Sequence, residues 1–194
     1  MKSKAIVTIN EVNMLGKDKP PILEKVDDER TLTQKLMKLI PGWRGYTIKE
    51  ERRNADRILR DQICSRLRRA QDVIEDIRRA VVEVELEGAY TTIESLGSRT
   101  ERLISQIEHA DYGYRPFFDA IKIKEDDLIN MLKFDTWFVE TVQEYDKIAN
   151  DVLNSVENDP ETAMKQIKEL RRMITDMISK WKNRTDVILG VEVV

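Results

Sequence analysis

Residues 63–84 read ICSRLRRAQDVIEDIRRAVVEV, and an apolar position recurs through them in steps of 4, 3, 4, 3, 4 and 3: Ile63, Leu67, Ala70, Ile74, Ile77, Val81 and Val84. Steps that alternate in this way mark the seam of a helix packed against others at a shallow left-handed angle. Charged residues fill most of the positions between, which suits a face turned to water. The pattern predicts one helix over 48–87, roughly 60 Å long at 1.5 Å per residue. Carried backward, the seam reaches Arg60 and Asp56, which are charged where an apolar side chain is wanted. The first turns are therefore expected to rotate onto Ala55 and Leu59, or to project from the bundle.

The same spacing returns three times. Ile93, Leu96, Thr100, Leu103, Ile107 and Ala110 define a helix over 89–110, weakened but not ended by Gly97. Leu128, Met131, Asp135, Phe138, Val142, Tyr145, Ala149, Val152 and Val156 define one over 124–157. Ala163, Ile167, Leu170, Ile174, Met177, Trp181, Arg184 and Ile188 define one over 160–189, with Asp159 as N-cap and Pro160 at the first helical position. A shorter helix is expected over 31–39, stopped by Pro41-Gly42. Residues 1–30 lack helical periodicity and read as a partly ordered arm, with a short strand at Ala5–Ile9 that the terminal VEVV is expected to join. The expected fold is all-α: an antiparallel four-helix bundle of heptad-patterned helices forming a single domain over 31–194.

Composition agrees with half-exposed helices. Charged residues make up 36% of the 194-residue chain, against about 25% in ordinary domains. A net charge of −3 excludes a uniformly basic polymer binder and leaves room for a local basic patch. Cys64 is the only cysteine, so no intramolecular disulfide can form, and a reducing, cytoplasmic setting is the simplest expectation. No apolar run approaches the roughly 20 residues of a membrane span, and MKSKAIVTIN carries no stretch resembling a signal sequence.

Chemistry is sparse. His109 is the lone histidine, and with one cysteine it leaves no ordinary zinc site, no Glu-x-x-His pair of the di-iron type and no nucleophile–base set. Neither a catalytic residue nor a cofactor or metal is expected. One region stands out: Arg44, Arg52, Arg53, Arg57, Arg60, Arg66, Arg68 and Arg69 fall within 26 residues, and Arg53, Arg57 and Arg60 share an i, i+4, i+7 row. Arginine forks suit phosphate or carboxylate, and Trp43 and Tyr46 suit stacking on bases or guanidinium planes. Against this, Arg52–Asp56, Asp56–Arg60 and Arg57–Asp61 are i, i+4 pairs of opposite sign. Glu50 and Glu51 are placed to satisfy the first turn of the helix. A second aromatic–glycine–arginine group, Tyr112, Tyr114 and Arg115, is expected to meet the first at one end of the bundle, as a plug of the core or as a docking site. Asp135 falls on its seam, where an unpaired carboxylate is costly. It is expected either to pair with a cation from another helix, Arg184 being the candidate, or to turn outward.

The motifs around Pro41, Gly42, Gly45, Tyr46, Arg52, Arg53, Asp56 and Arg60, and around Tyr112, Gly113, Tyr114, Phe118, Asp119 and Lys122, resemble those of a family of prokaryotic helical proteins with no assigned activity. The likeness spans about residues 40–135. It implies a helical fold and a prokaryotic source, and supplies no catalytic residues. The reading that follows is a non-enzymatic helical scaffold or protein-interaction module that self-associates. The alternative is a binder of nucleic acid or of an anionic surface through residues 52–69.

Overall fold

The computed structural model describes residues 21–46, 51–112, 125–184 and 186. The order of elements is α1 (Pro21–Leu39), α2 (Arg52–Glu83), α3 (Tyr90–Glu108) with a 3-10 turn at His109–Tyr112, α4 (Glu125–Ser155) and α5 (Pro160–Lys182). The protein is all-helical, and among the described residues there is no strand. The two stretches expected to form strands lie outside those residues.

Seam positions govern the packing. α2 lies against α3 and α4, α5 against the same two helices, and α1 against α4. The aliphatic seams named from sequence, among them Leu67, Ile74, Leu96, Val142 and Leu170, form one continuous core that Leu36 and Ile40 join. Polar bonds fix how the helices align. Gly97 lies beside Gln71 and Ile74, Thr100 meets Tyr145, Arg99 reaches Thr175, and Ser155 bonds Gln166. Lys25–Asp126 and Lys35–Glu140 pair α1 with α4 on the surface.

Several boundaries differ from expectation. α1 starts at Pro21 rather than Thr31, so residues 21–30 are helix and not arm. Proline at the first helical position lacks only an N–H that would have no partner there, so it begins this helix instead of breaking it. α2 starts at Arg52, leaving Glu51 at the N-cap without a side-chain cap bond and no acid in the first turn. At its other end α2 stops at Glu83, and the next residues close a tight cap. The Glu85 N–H donates to the Val82 carbonyl and the Leu86 N–H to the Val81 carbonyl. That bond pattern requires a left-handed residue after the cap, usually glycine, and here Glu85 occupies it at φ 51°. Val84 is therefore past the helix and exposed rather than on the seam. α5 begins as expected, with the Asp159 side chain accepting from the Thr162 N–H at 3.1 Å and Pro160 at the first position.

Candidate functional site

The loop after α1 is built by two glycines. Gly42 and Gly45 take φ of +83° and +93°, in the left-handed region that residues with a Cβ rarely enter. The resulting path buries Trp43 and Tyr46 while Arg44 stays exposed. The two rings meet edge to face with centroids 5.1 Å apart. Arg52, at the start of α2, holds the loop down by donating its Nε to the Tyr46 carbonyl at 2.7 Å.

Beneath this loop lies a buried ionic network. The Tyr46 hydroxyl donates to Asp135 Oδ2 at 2.8 Å. Arg184 Nη2 donates to Asp135 Oδ1 and to Asp56 Oδ1, each at 3.0 Å. Arg60 Nε donates to Asp56 Oδ2 at 2.9 Å, and its Nη1 reaches the Ile107 carbonyl at the end of α3 at 3.4 Å. The loop, α2, α3, α4 and the residues after α5 are all tied together at this layer. Asp135 and Arg184 are completely buried, Asp56 and Arg60 nearly so. Two carboxylates and two guanidiniums balance in formal charge, which is the condition for holding such groups away from water. Arg184 is also flanked by rings, with its Cζ 5.1 Å from the Trp181 centroid and 5.8 Å from that of Phe134.

The electrostatics follow from burial. Loss of solvent pushes the Asp135 carboxyl up, and the charge of Asp56 adds to this, while Arg184 and the Tyr46 hydrogen bond pull it back. Burial, then the Asp135 and Asp56 carboxylates, hold the Tyr46 phenol well above its ordinary value, so it acts as a fixed donor. Burial likewise drives the Cys64 thiol to about 11, leaving it protonated and unreactive. Elsewhere in the core Thr136 is buried, and the Thr100 and Tyr145 hydroxyls form a neutral pair 2.7 Å apart.

The arginine row does not form a single outward face. Arg60 turns into the core, while Arg53 and Arg57 are exposed and Arg57 donates to Asn54 Oδ1 at 3.0 Å rather than pairing with Asp61. Arg68 pairs with Glu108. Trp43 and Tyr46, offered above as stacking platforms, are inside the protein, which is the geometry of a core plug. Tyr114 and Arg115 lie outside the described residues, as does the side chain of Tyr112. Two clefts flank the network. One of about 270 Å³ is lined by Gly42, Arg44, Gly45, Glu51, Asn54, Ala55 and Ile58. The other, about 410 Å³, is lined by Arg57, Arg60, Asp61, Cys64, Arg68 and Glu108.

The sequence reading named Arg184 as the candidate partner of Asp135 but did not include Asp56 in the cluster. The signal was present. Four seam positions carry charge, two of each sign, and all four lie at one end of their helices. The first turns of α2 do not rotate away: Ala55 and Leu59 are buried together with Asp56 and Arg60. Among the described residues no group of three or more His, Cys, Asp or Glu side chains is arranged to hold a metal ion, and no helix is long and apolar enough to cross a membrane.

Compared with protein-family models, curated proteins and solved structures, the chain matched none. The network must be read from its own chemistry.

Proposed function

We propose that the protein is a helical scaffold or interaction module, without catalytic activity of its own, that self-associates. Its framework is an antiparallel four-helix bundle of α2–α5 braced by α1. The order of cross-helix contacts supports that arrangement. Going up α2 from Arg60 to Gln71, the facing residue on α3 moves back from Ile107 to Gly97. Going up α4 from Asp135 to Ser155, the facing residue after and along α5 moves back from Arg184 to Gln166.

One observation carries the functional reading. At the network end the buried carboxylates of Asp56 and Asp135 are bonded by Arg60, Arg184 and Tyr46, so that end acts to hold the bundle together. Apolar surface is left outside at the α2–α3 turn, where Val82 is 56%, Val84 36% and Tyr90 41% exposed, and on α1, where Val26 is 46% and Met37 44% exposed. Large apolar side chains grouped at a turn are the kind of surface that a partner protein covers. Sedimentation velocity over a micromolar concentration series is expected to show a mass above that of one chain, rising with concentration. A single species of 22.7 kDa throughout would reject self-association.

A further inference from the structure

We propose that the groove between α3 and α5 binds the phosphate backbone of double-stranded nucleic acid without reading its sequence. This face is separate from the arginine-rich start of α2, and its binding does not depend on self-association. The two helices pack along each other, and side-chain contacts show which flank of each borders the groove. On α3, Gly97 lies beside Gln71, the Cys64 thiol reaches the Ile104 carbonyl and Glu108 pairs with Arg68, so that flank faces α2. The opposite flank carries Arg99, whose Nη1 donates to Thr175 Oγ1 of α5 at 3.2 Å. On α5, Gln166 bonds Ser155 and Lys180 lies over the Trp137 ring, which marks the flank toward α4.

Helical spacing sorts charge between these flanks. Along α3, Ser95, Arg99, Arg102 and Gln106 form the row beside the groove, while Glu94, Glu101 and Glu108 fall with Gly97 on the α2 side. Along α5, Lys168, Arg171, Thr175 and Lys182 border the groove, while Glu169 and Asp176 fall with Gln166 and Lys180 on the α4 side. All five cations are exposed, and among the described residues none of them enters an ion pair. Glu161, paired with Lys165, and Asp186 lie beyond the two ends of the α5 row. The chain as a whole carries −3, yet this row runs about 21 Å from Lys168 to Lys182 without a carboxylate. Like charges gathered in this way repel, and a polyanion relieves the repulsion.

The side chains present decide which polyanion fits. Arginine, lysine, serine, threonine and glutamine are the groups that contact phosphate and sugar, and such contacts carry no sequence information. An acidic protein would need apolar or aromatic anchors at the centre of its interface. The apolar side chains in these rows, Met164 and Ile178, are instead packed against the core. Neither row holds an aromatic ring on which the bases of a single strand could stack, which favours the backbone of a duplex.

The test titrates a fluorescein-labelled duplex of about 30 base pairs with the full chain, followed by anisotropy. Five phosphate contacts predict a slope of log K against log salt of about −4.5, so affinity should drop roughly 500-fold between about 50 and 200 mM. Arg102→Gln, Lys168→Gln and Arg171→Gln together should cut the slope to about −2 and weaken binding at low salt by about tenfold or more. The three positions are exposed, and circular dichroism checks that the fold is unchanged. Arg57→Gln with Arg69→Gln, exposed on α2 and away from the groove, should leave both readouts as they were. Duplexes rich in A·T and in G·C should bind alike. No duplex binding at low salt, or a slope unmoved by the triple change, overturns the proposal. So does tighter binding to a single strand, equal competition by polyglutamate, or capture by phosphatidylserine vesicles in place of duplex. A parent protein that is monomeric in sedimentation yet binds duplex with the expected slope supports this site while rejecting self-association.

Discussion

The two ends of α2 solve opposite problems. At its start, charge is taken inside: Asp56 and Arg60 occupy seam positions and meet Asp135 and Arg184 in a layer closed off by Tyr46 and Trp43. At its finish, apolar side chains are left outside among glutamates. Between them the core is mostly aliphatic, with Cys64, Phe138 and the Thr100–Tyr145 pair among it. Aliphatic layers hold helices together but discriminate weakly among alignments, because one Leu–Ile contact resembles the next. The ionic layer discriminates strongly. A slip of α4 by one heptad would set Asp135 against aliphatic neighbours and leave Arg184 without a carboxylate from that helix, each a desolvated charge without compensation. One end thus fixes the register that the middle alone would leave loose.

Removing Arg184 should break that comparison most severely. Arg184→Met leaves Asp56 and Asp135 buried with Arg60 as the only cation bonded within the layer, and the loss expected is about 3–5 kcal/mol in urea unfolding. By contrast, Ile174→Val, in the aliphatic layer, should lose only about 0.5–1.5 kcal/mol. The sharper form replaces the whole layer with apolar residues: Tyr46→Phe, Asp56→Leu, Arg60→Met, Asp135→Leu and Arg184→Met together. This variant should recover most of the stability lost by the single change, since no charge is then left stranded. Failure to recover would mean that the layer contributes net adhesion, not register alone.

These two ends also differ in how far the sequence disclosed them. The 3-4 spacing located the aliphatic seams, and every seam residue from Ile63 to Val81 is buried as the spacing requires. Charges on a seam were harder to read. A lone Asp56 or Arg60 looks like a reason for the helix to rotate, and only Arg184, 128 positions away from Asp56, makes burial favourable. Periodicity records what one helix presents; it does not record which helices bring their exceptions to the same layer. The end of α2 was misplaced for a different reason. Gly88 does lie in the break, at φ 79°, but the chain leaves the helix at Glu83 rather than 87, with Glu85 taking the left-handed cap position, and no propensity argument would assign glutamate there.

Titration probes the buried end more gently, because protonating one carboxylate leaves the other members in place. Asp135 is raised by burial, so the folded state favours its protonated form. Its contribution to stability is fully present below the ordinary carboxylate range and is lost as pH rises through the raised value. Asp135→Asn cannot titrate there. The stability of the parent minus that of this variant, measured by urea unfolding at successive pH values, should therefore fall as pH climbs from below that range through the folded value. Exposed Asp159, whose carboxyl is lowered mainly by its bonds to Thr162, has the opposite sign and cancels in the difference. A difference that rises with pH would show that Arg184 and Tyr46 together outweigh burial.

The smallest effect is the most informative about the exposed end, because its sign is reversed. Glu85→Gly relieves a left-handed backbone at φ 51° and should stabilise the chain by about 1 kcal/mol, visible as a higher urea midpoint. Glycine also increases the freedom of the unfolded chain, which trims the gain without cancelling it at a position that needs positive φ. The same substitution removes one of the three carboxylates around Val82, Val84 and Tyr90. Association measured by sedimentation should therefore weaken while folding stability rises. A purely structural role for Glu85 predicts no change in association, and a merely tolerated accident of the turn predicts the same. Opposite movement of the two readouts separates both from a carboxylate kept in strained backbone for contact with a neighbouring copy.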